Sequence, residues 1–232
     1  MKNSPSTSFQ TAHAFTLIEL LVVISIIAIL AGLSFPAFTA VQNAAKKTQA
    51  KTDETQIVAA IKAYYAEYGK YPLASIKQGY DTLYGNYPSA FYDNSEVMDV
   101  LRATATTAAS PNASDALNPR KVVFFESPFT KTTTNPRSGI LSADAADPRG
   151  GNMKAGGIVD PWGCEYMISI DGNYDSMTAD YSKYSDLTYV KDQGGNDCVP
   201  TGVFVESWGK DQKQGTQGNN NYKSSDDVIS WQ

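Results

Sequence analysis

Histidine is almost absent from this 232-residue chain: the one example, His13, falls within the first 14 positions. Its absence from the remainder removes Ser-His-Asp and Cys-His catalysis, and histidine-ligated zinc, from everything downstream. No G-x-S-x-G, phosphate-loop or H-E-x-x-H pattern is present. These absences argue against an enzyme and leave open only carboxylate- or lysine-based chemistry. A positive excess is missing too: 19 Lys and Arg stand against 24 Asp and Glu, a net charge of −5. Nucleic-acid binding, which wants a basic face, has no support. Cysteine is limited to Cys164 and Cys198. Overall composition, with 42% hydrophobic and 19% charged residues, is otherwise that of an ordinary folded protein.

Charge is nearly absent between Phe15 and Phe38, where Glu19 is the one ionisable side chain in 24 residues. As a helix rising about 1.5 Å per residue, that stretch reaches about 36 Å, enough to cross a hydrocarbon core of about 30 Å. A carboxylate in such a segment is costly and marks a functional position by default. Three readings compete. A secretory signal peptide wants a basic start and a small-residue cleavage site after the apolar run. Here Lys2 is the one fixed positive charge ahead of the run, and Ala12 and Ala14 stand before it. A plain membrane anchor accounts for the length but not for Glu19. The third reading is a proteolytic cut ahead of the run, leaving a new N-terminus at Phe15.

The stretch Ala14-Phe15-Thr16-Leu17-Ile18-Glu19-Leu20-Leu21-Val22-Val23 resembles the type III signal of type IV pilins and type II secretion pseudopilins. The resemblance implies a leader, residues 1–14, which a prepilin peptidase removes by cutting between Ala14 and Phe15. N-methylation of Phe15 follows. Glu19 becomes the fifth residue of the mature chain, and Pro36 takes the place of the family's helix-kinking proline. Two features depart from the family pattern: Ala14 stands where Gly is usual, and few basic residues precede the cut. The freed Phe15 amine, with a reference pKa of about 8, is mostly cationic at neutral pH. A neighbouring subunit shifted along a filament axis can set its Phe15 amine against Glu19. An unpaired buried charge costs several kcal/mol, so the pair acts as a register device.

Past Pro36 the pattern stays helical. From Ala40 to Tyr68 there is no Pro or Gly, and Ile57, Ile61, Tyr64 and Tyr68 form one apolar stripe. Gly69 offers a C-cap, with Pro72 beyond it. The spacing predicts one helix from Phe15 to about Tyr68. Its membrane-spanning or filament-core half is 15–38 and its amphipathic half is 39–69. Lys46, Lys47 and Lys51 read as a solvated helix face. The sequence Tyr64 to Pro72 also resembles the pseudopilin helix end. Residues 70–232 form the globular part. Within it, Asn94–Ala109 is a candidate second helix, and Val122–Phe125 is a buried strand or turn. Thr130–Gly157 reads as a long loop. Tyr166–Ile170 and Gly202–Glu206 read as two strands of a small antiparallel sheet. The expected fold is α+β of the pilin type: a long N-terminal helix packed on a small antiparallel sheet with extended loops.

Asp160-Pro161-Trp162-Gly163, followed by Tyr166, resembles a motif of the major pseudopilin of type II secretion. Pro161 suits the second position of a type I turn and Gly163 the fourth, which leaves Trp162 to anchor the turn on the core. Ser207-Trp208-Gly209-Lys210-Asp211 and Ser225-Asp226-Asp227-Val228 resemble that protein's closing segment, which encloses a calcium ion. The resemblance implies Asp211 and Asp227, with Asp226 beside them, as calcium ligands, and calcium takes six to eight oxygens. The signal also implies a single-pass inner-membrane protein with its C-terminal domain in the periplasm. In that oxidising compartment Cys164 and Cys198 read as a disulfide that pins the segment 171–201, with two buried thiols as the alternative. The function implied is a structural subunit of a secretion pseudopilus that drives protein export. Its partners would be copies of itself, other pseudopilins, the inner-membrane assembly platform and the prepilin peptidase. A type IV pilin for adhesion, motility or DNA uptake is the alternative, and a membrane-tethered domain is a third.

Overall fold

The computed structural model describes residues 15–74, 79–85, 92–215 and 219–231. The expected leader, with His13 and Ala14, lies outside them. By its contacts the chain divides into two units, Met1–Asn43 and Ala44–Gln232. The first helix, α1 (Leu17–Tyr68), contributes to both. After it come β1 (Thr82–Tyr84), α2 (Ser95–Leu101), β2 (Gly139–Ile140), β3 (Ala145–Ala146), β4 (Asn152–Met153), β5 (Ile158–Val159) and β6 (Met167–Ile170). The last strands are β7 (Thr178–Ala179), β8 (Val190–Lys191), β9 (Asp197–Val199), β10 (Val203–Ser207) and β11 (Val228–Ile229). This is the α+β arrangement expected, with a long N-terminal helix and small antiparallel sheets.

In the first unit the described residues are helical from Leu17 onward, and Pro36 lies within the helical span. Their large apolar side chains, among them Leu17, Ile18, Leu20, Ile24, Ile27 and Leu30, are exposed.

In the second unit α1 presents one buried face made by Ala50, Glu54, Ile57, Ile61 and Tyr64, which recur at helical spacing. The helix stops where Gly69 adopts φ +66° and donates its N–H to the Tyr65 carbonyl at 2.8 Å. That is the left-handed C-cap that glycine takes without a Cβ clash. The apolar members of the face join Ile168, Ile170, Val203 and Val205 in one core. Those four residues lie on a four-stranded antiparallel sheet of order β1-β6-β10-β11. Ile168 pairs with Val205 and Ile170 with Val203. Alternation sends Met167 to the other face, where it packs with Leu83 and Trp208. Both faces are covered, so β6 and β10 are buried along their whole length. The two strands expected from the sequence thus exist and pair with each other. Lys47, exposed as expected, donates to the Ser225 carbonyl at 3.4 Å, and the half-buried Lys51 to the Ile229 carbonyl at 2.6 Å, tying helix to C-terminal segment.

Four further expectations need correction. The second helix ends at Leu101, not Ala109. Ala103 turns to φ +53°, and the Asp99 carboxylate accepts from Thr104 Oγ1 and from Thr106 through both N and Oγ1. Threonines that bond a neighbouring carboxylate in this way favour a turn over continued helix. Residues 122–125 form no strand. Phe124 and Phe125 instead donate their backbone N–H groups to the Leu101 carbonyl, and Phe124 lies edge-on to Tyr64. The expected loop 130–157 contains β2, which pairs with β5 just past its end, and the ladder of β3 with β4, beside a minor core of Leu141, Ala145, Met153 and Val159.

The disulfide is the fourth. Cys164 and Cys198 are free thiols, both buried. Cys164 follows the Asp160 turn, where the charges acting on it are Asp160, Arg149, Asp147 and Arg137. Cys198 lies in β9 opposite Ala179 and Val190, where Asp192, Asp81 and Asp175 act on it. Segment 171–201 is held by its own three-stranded sheet, of order β7-β9-β8, in place of a covalent staple.

Candidate functional site

Three places carry the residues singled out above. The first is the start of α1. Glu19 Oε2 accepts from the Thr16 backbone N–H at 2.8 Å and from Thr16 Oγ1 at 2.7 Å, while Thr16 Oγ1 accepts from the Glu19 N–H at 3.3 Å. Thr16 is the N-cap and Glu19 the third helical position, so the pair is a reciprocal capping box. Sequence reasoning treated Glu19 only as the partner of another subunit's amine and missed Thr16. The signal was present: Thr-x-x-Glu ahead of an apolar run. Phe15 stands 77% exposed just before the cap.

The second place is the turn at 160–163. The Gly163 N–H donates to the Asp160 carbonyl at 3.1 Å, with Pro161 and Trp162 in the two central positions. Gly163 has φ +98°, and a Cβ there would lie 2.7 Å from the Pro136 carbonyl oxygen. Trp162 is buried in the main core, as an anchor for the turn requires. Asp160 is fully buried and does more than start the turn. Its Oδ1 accepts from the N–H groups of Trp162, Gly163 and Cys164 at 2.8, 2.7 and 3.0 Å. Its Oδ2 accepts from Ser207 Oγ at 2.6 Å, which joins the turn to the end of β10.

The third place is the acidic group Asp211, Asp226 and Asp227. One carboxylate oxygen from each lies within 4.8 Å of the others. Asp211 follows β10 by a tight turn at Gly209, whose φ is +63°. Asp226 and Asp227 lead into β11, so the pairing of β10 with β11 brings positions 15 residues apart together. Asp226 Oδ2 accepts from the backbone N–H groups of Lys210 and Asp211. Asp211 Oδ1 accepts from the Lys213 N–H at 2.9 Å, and Asp227 Oδ2 from the Gly215 N–H at 2.6 Å. Asp227 is fully buried, and its Oδ1 takes no hydrogen bond. The Tyr184 hydroxyl stands near enough to favour the ionised form, without reaching hydrogen-bonding geometry. Burial first, then the charges of Asp226 and Asp211, push the Asp227 pKa up to about 7. Three converging carboxylates with an unpartnered buried oxygen suit a hard cation such as calcium, with the remaining oxygens drawn from carbonyls and water.

Comparison with known proteins agrees with the N-terminal features. Residues 10–35 match the family model described as the prokaryotic N-terminal methylation motif. Over 59 residues the chain is 39% identical to the type IV major pilin protein PilA of Myxococcus xanthus (strain DK1622). That stretch is 25% of this chain and 27% of the pilin, so the match spans about a quarter of the relative's length. No solved structure gives a significant match. The N-terminal region therefore carries a prepilin-like signal. Among the described residues one helix, α1, is long and apolar enough to cross a membrane, with a mean hydropathy of 2.7 over its most apolar window.

Proposed function

We propose that this chain is a structural subunit of a filament that assembles through α1. In this reading a prepilin peptidase cuts between Ala14 and Phe15 and methylates the Phe15 amine. The observation that carries it is the methylation motif at residues 10–35, on an exposed apolar stretch of α1 whose one carboxylate over 15–38 is Glu19. The subunit waits as a single-pass inner-membrane protein with residues 70–232 in the periplasm. It joins other copies and related pseudopilins at an inner-membrane assembly platform. The Thr16 capping box holds Glu19 at the head of the helix, where a neighbour's Phe15 amine can neutralise it.

Of the two filament types, the type II secretion pseudopilus, which drives protein export, is the one we favour. Its support is the Asp160–Gly163 turn together with the acidic group. Asp211, Asp226 and Asp227 would hold a structural calcium ion that neutralises their mutual repulsion. The second reading is a type IV pilus for adhesion, motility or DNA uptake, supported by the similarity to a major pilin.

Intact mass and N-terminal sequencing of membrane-derived protein test the processing step. A methylated N-terminus at Phe15 is expected, and a mature chain beginning at Met1 would leave only the tethered-domain reading. Glu19→Ala should remain in the membrane and fail to form filaments; normal filaments from that variant would remove the register role. Deleting the chain separates the two filaments: stalled export of folded substrates marks the pseudopilus, loss of surface fibres the pilus.

A further inference from the structure

Glu54 sits in the middle of the buried face of α1, outside the 15–38 segment, and belongs to none of the three places described above. It is fully buried, and neither carboxylate oxygen accepts a hydrogen bond. Its neighbours in the helix stripe are Ala50 and Ile57, which pack into the main core. A carboxylate in that position replaces water with hydrocarbon and gains no bond in return, a cost of several kcal/mol per ion.

Of the charges around it Lys51 acts most strongly and favours the ionised form, while the others oppose it. From α1 itself, Lys51 and Asp53 act on Glu54; from the turn, Asp160; from β10, Glu206. Three of the four are acidic. Tyr166, at the start of β6, and Tyr222, ahead of β11, complete the titratable groups that feel it. Tyr166 donates its hydroxyl to Asp53 Oδ2 at 3.0 Å, and Lys51 donates its ammonium to the Ile229 carbonyl. Glu206 is itself buried, and Ser182 Oγ donates to its Oε1. Arg149 favours the ionised forms of Asp160 and Glu206.

A metal ion is not the natural neutraliser here. Among the described residues, the acidic oxygens that converge within 4.8 Å are those of Asp211, Asp226 and Asp227, not those around Glu54. A proton needs no such convergence.

We propose that Glu54 is a proton-operated latch for the seating of α1 on the four-stranded sheet: neutral, it lies in the core like the apolar residues beside it, and ionised, it loosens that packing. Burial, reinforced by the acidic neighbours, raises the Glu54 pKa well above its ordinary value, which agrees with the geometry. The sign follows from linkage. The folded state holds the proton more tightly than the unfolded chain does. Stability from this group is therefore fully present below about pH 4, the ordinary carboxyl range, and is lost as pH rises toward the folded-state pKa. The latch does not depend on which filament, if any, the chain forms.

The test is the thermal unfolding midpoint of the full-length chain in detergent across pH 5 to 8, for wild type, Glu54→Gln and Glu54→Leu. The wild-type midpoint should fall as pH rises. Both variants carry no titrating group at this place, so their midpoints should fall less and exceed the wild type's at pH 8. Infrared spectra supply a second readout. A carboxylic-acid C=O stretch should persist in the wild type at pH 7, and part of it should vanish in Glu54→Gln. Equal pH slopes in all three proteins, or an acid stretch that Glu54→Gln leaves intact, would overturn the latch. So would failure of both variants to fold at pH 5, because a neutral carboxyl is replaceable by an amide or an alkyl group.

Discussion

Replacing Asp160 with Ala should come close to unfolding the domain, whereas Asp160→Asn should be tolerated. The Asp160 carboxyl accepts four hydrogen bonds, three from consecutive backbone N–H groups and one from Ser207. Alanine strands three donors at a fully buried turn, the Trp162 and Cys164 N–H groups and the Ser207 hydroxyl, while the Gly163 N–H keeps the backbone carbonyl of residue 160. Each unsatisfied buried donor costs about 1–3 kcal/mol. Bonds in one network do not add fully, so a loss of about 4–6 kcal/mol is the working figure. That is comparable to the whole stability of a domain, about 5–15 kcal/mol. Asparagine keeps the Oδ1 acceptor for the three N–H groups and turns its amide N–H toward Ser207, whose hydroxyl can accept. What asparagine loses is the charge, and the charge is not the source of the stability. Burial raises the Asp160 pKa in spite of its bonds, so the ionised form gains nothing net from folding. Asp160→Asn should therefore cost about 1 kcal/mol. Urea unfolding followed by the fluorescence of the three tryptophans, among them Trp162 in the turn, measures both variants. If alanine is as stable as wild type, or asparagine as damaging as alanine, the account of the turn fails.

Arg149 is almost fully buried, pairs with Asp147 through Nε at 3.1 Å and Nη2 at 2.9 Å, and also donates to the Glu165 carbonyl. Arg149→Met should cost about 3–5 kcal/mol in urea unfolding, because it strands the buried Asp147 carboxylate. Asp81, at the head of β1, has its pKa pushed up to about 6, chiefly by burial and then by Asp171 and Asp175. Its contribution to stability is present below about pH 4 and lost as pH rises to about 6, so Asp81→Asn should flatten the fall in unfolding midpoint across that window. Calcium should raise the unfolding midpoint of the wild type and release protons near neutral pH as Asp227 ionises, and Asp211→Ala should abolish both effects. A calcium titration with neither a midpoint shift nor proton release would remove the metal from the acidic group.

Much of this chain is legible locally. The length of α1, its stop at Gly69 and the turn at Asp160–Gly163 follow from residues that are neighbours in sequence. Glycine conformation, proline geometry and helical spacing act over a few positions. The strands β6 and β10 were readable because each is a short run rich in β-branched and other apolar residues. The acidic group was visible through a family resemblance and not through spacing, since 15 residues separate Asp211 from Asp226. The free thiols stood in the sequence only as the alternative to a disulfide: parity and compartment say how many cysteines exist, not whether folding brings them together. The early end of α2 turned on Asp99, whose carboxylate captures Thr104 and Thr106. The role of Thr16 was legible and was passed over.

The sequence by itself determined a membrane-length apolar helix with one carboxylate near its head, a helical extension capped at Gly69, and a turn with a buried anchor. Those features rest on local backbone preference and on hydrophobicity summed along the chain. Tertiary structure alone decided which polar groups would lose their water. Glu54 lies on the same stripe as Ile57 and Ile61, and only the sheet packed across that stripe makes its carboxyl a buried one. Asp227 likewise becomes a buried acid beside two others only because β10 and β11 pair. Desolvation is set by what lies across space, and a carboxyl group's cost, charge and capacity to hold a proton or a cation follow from it.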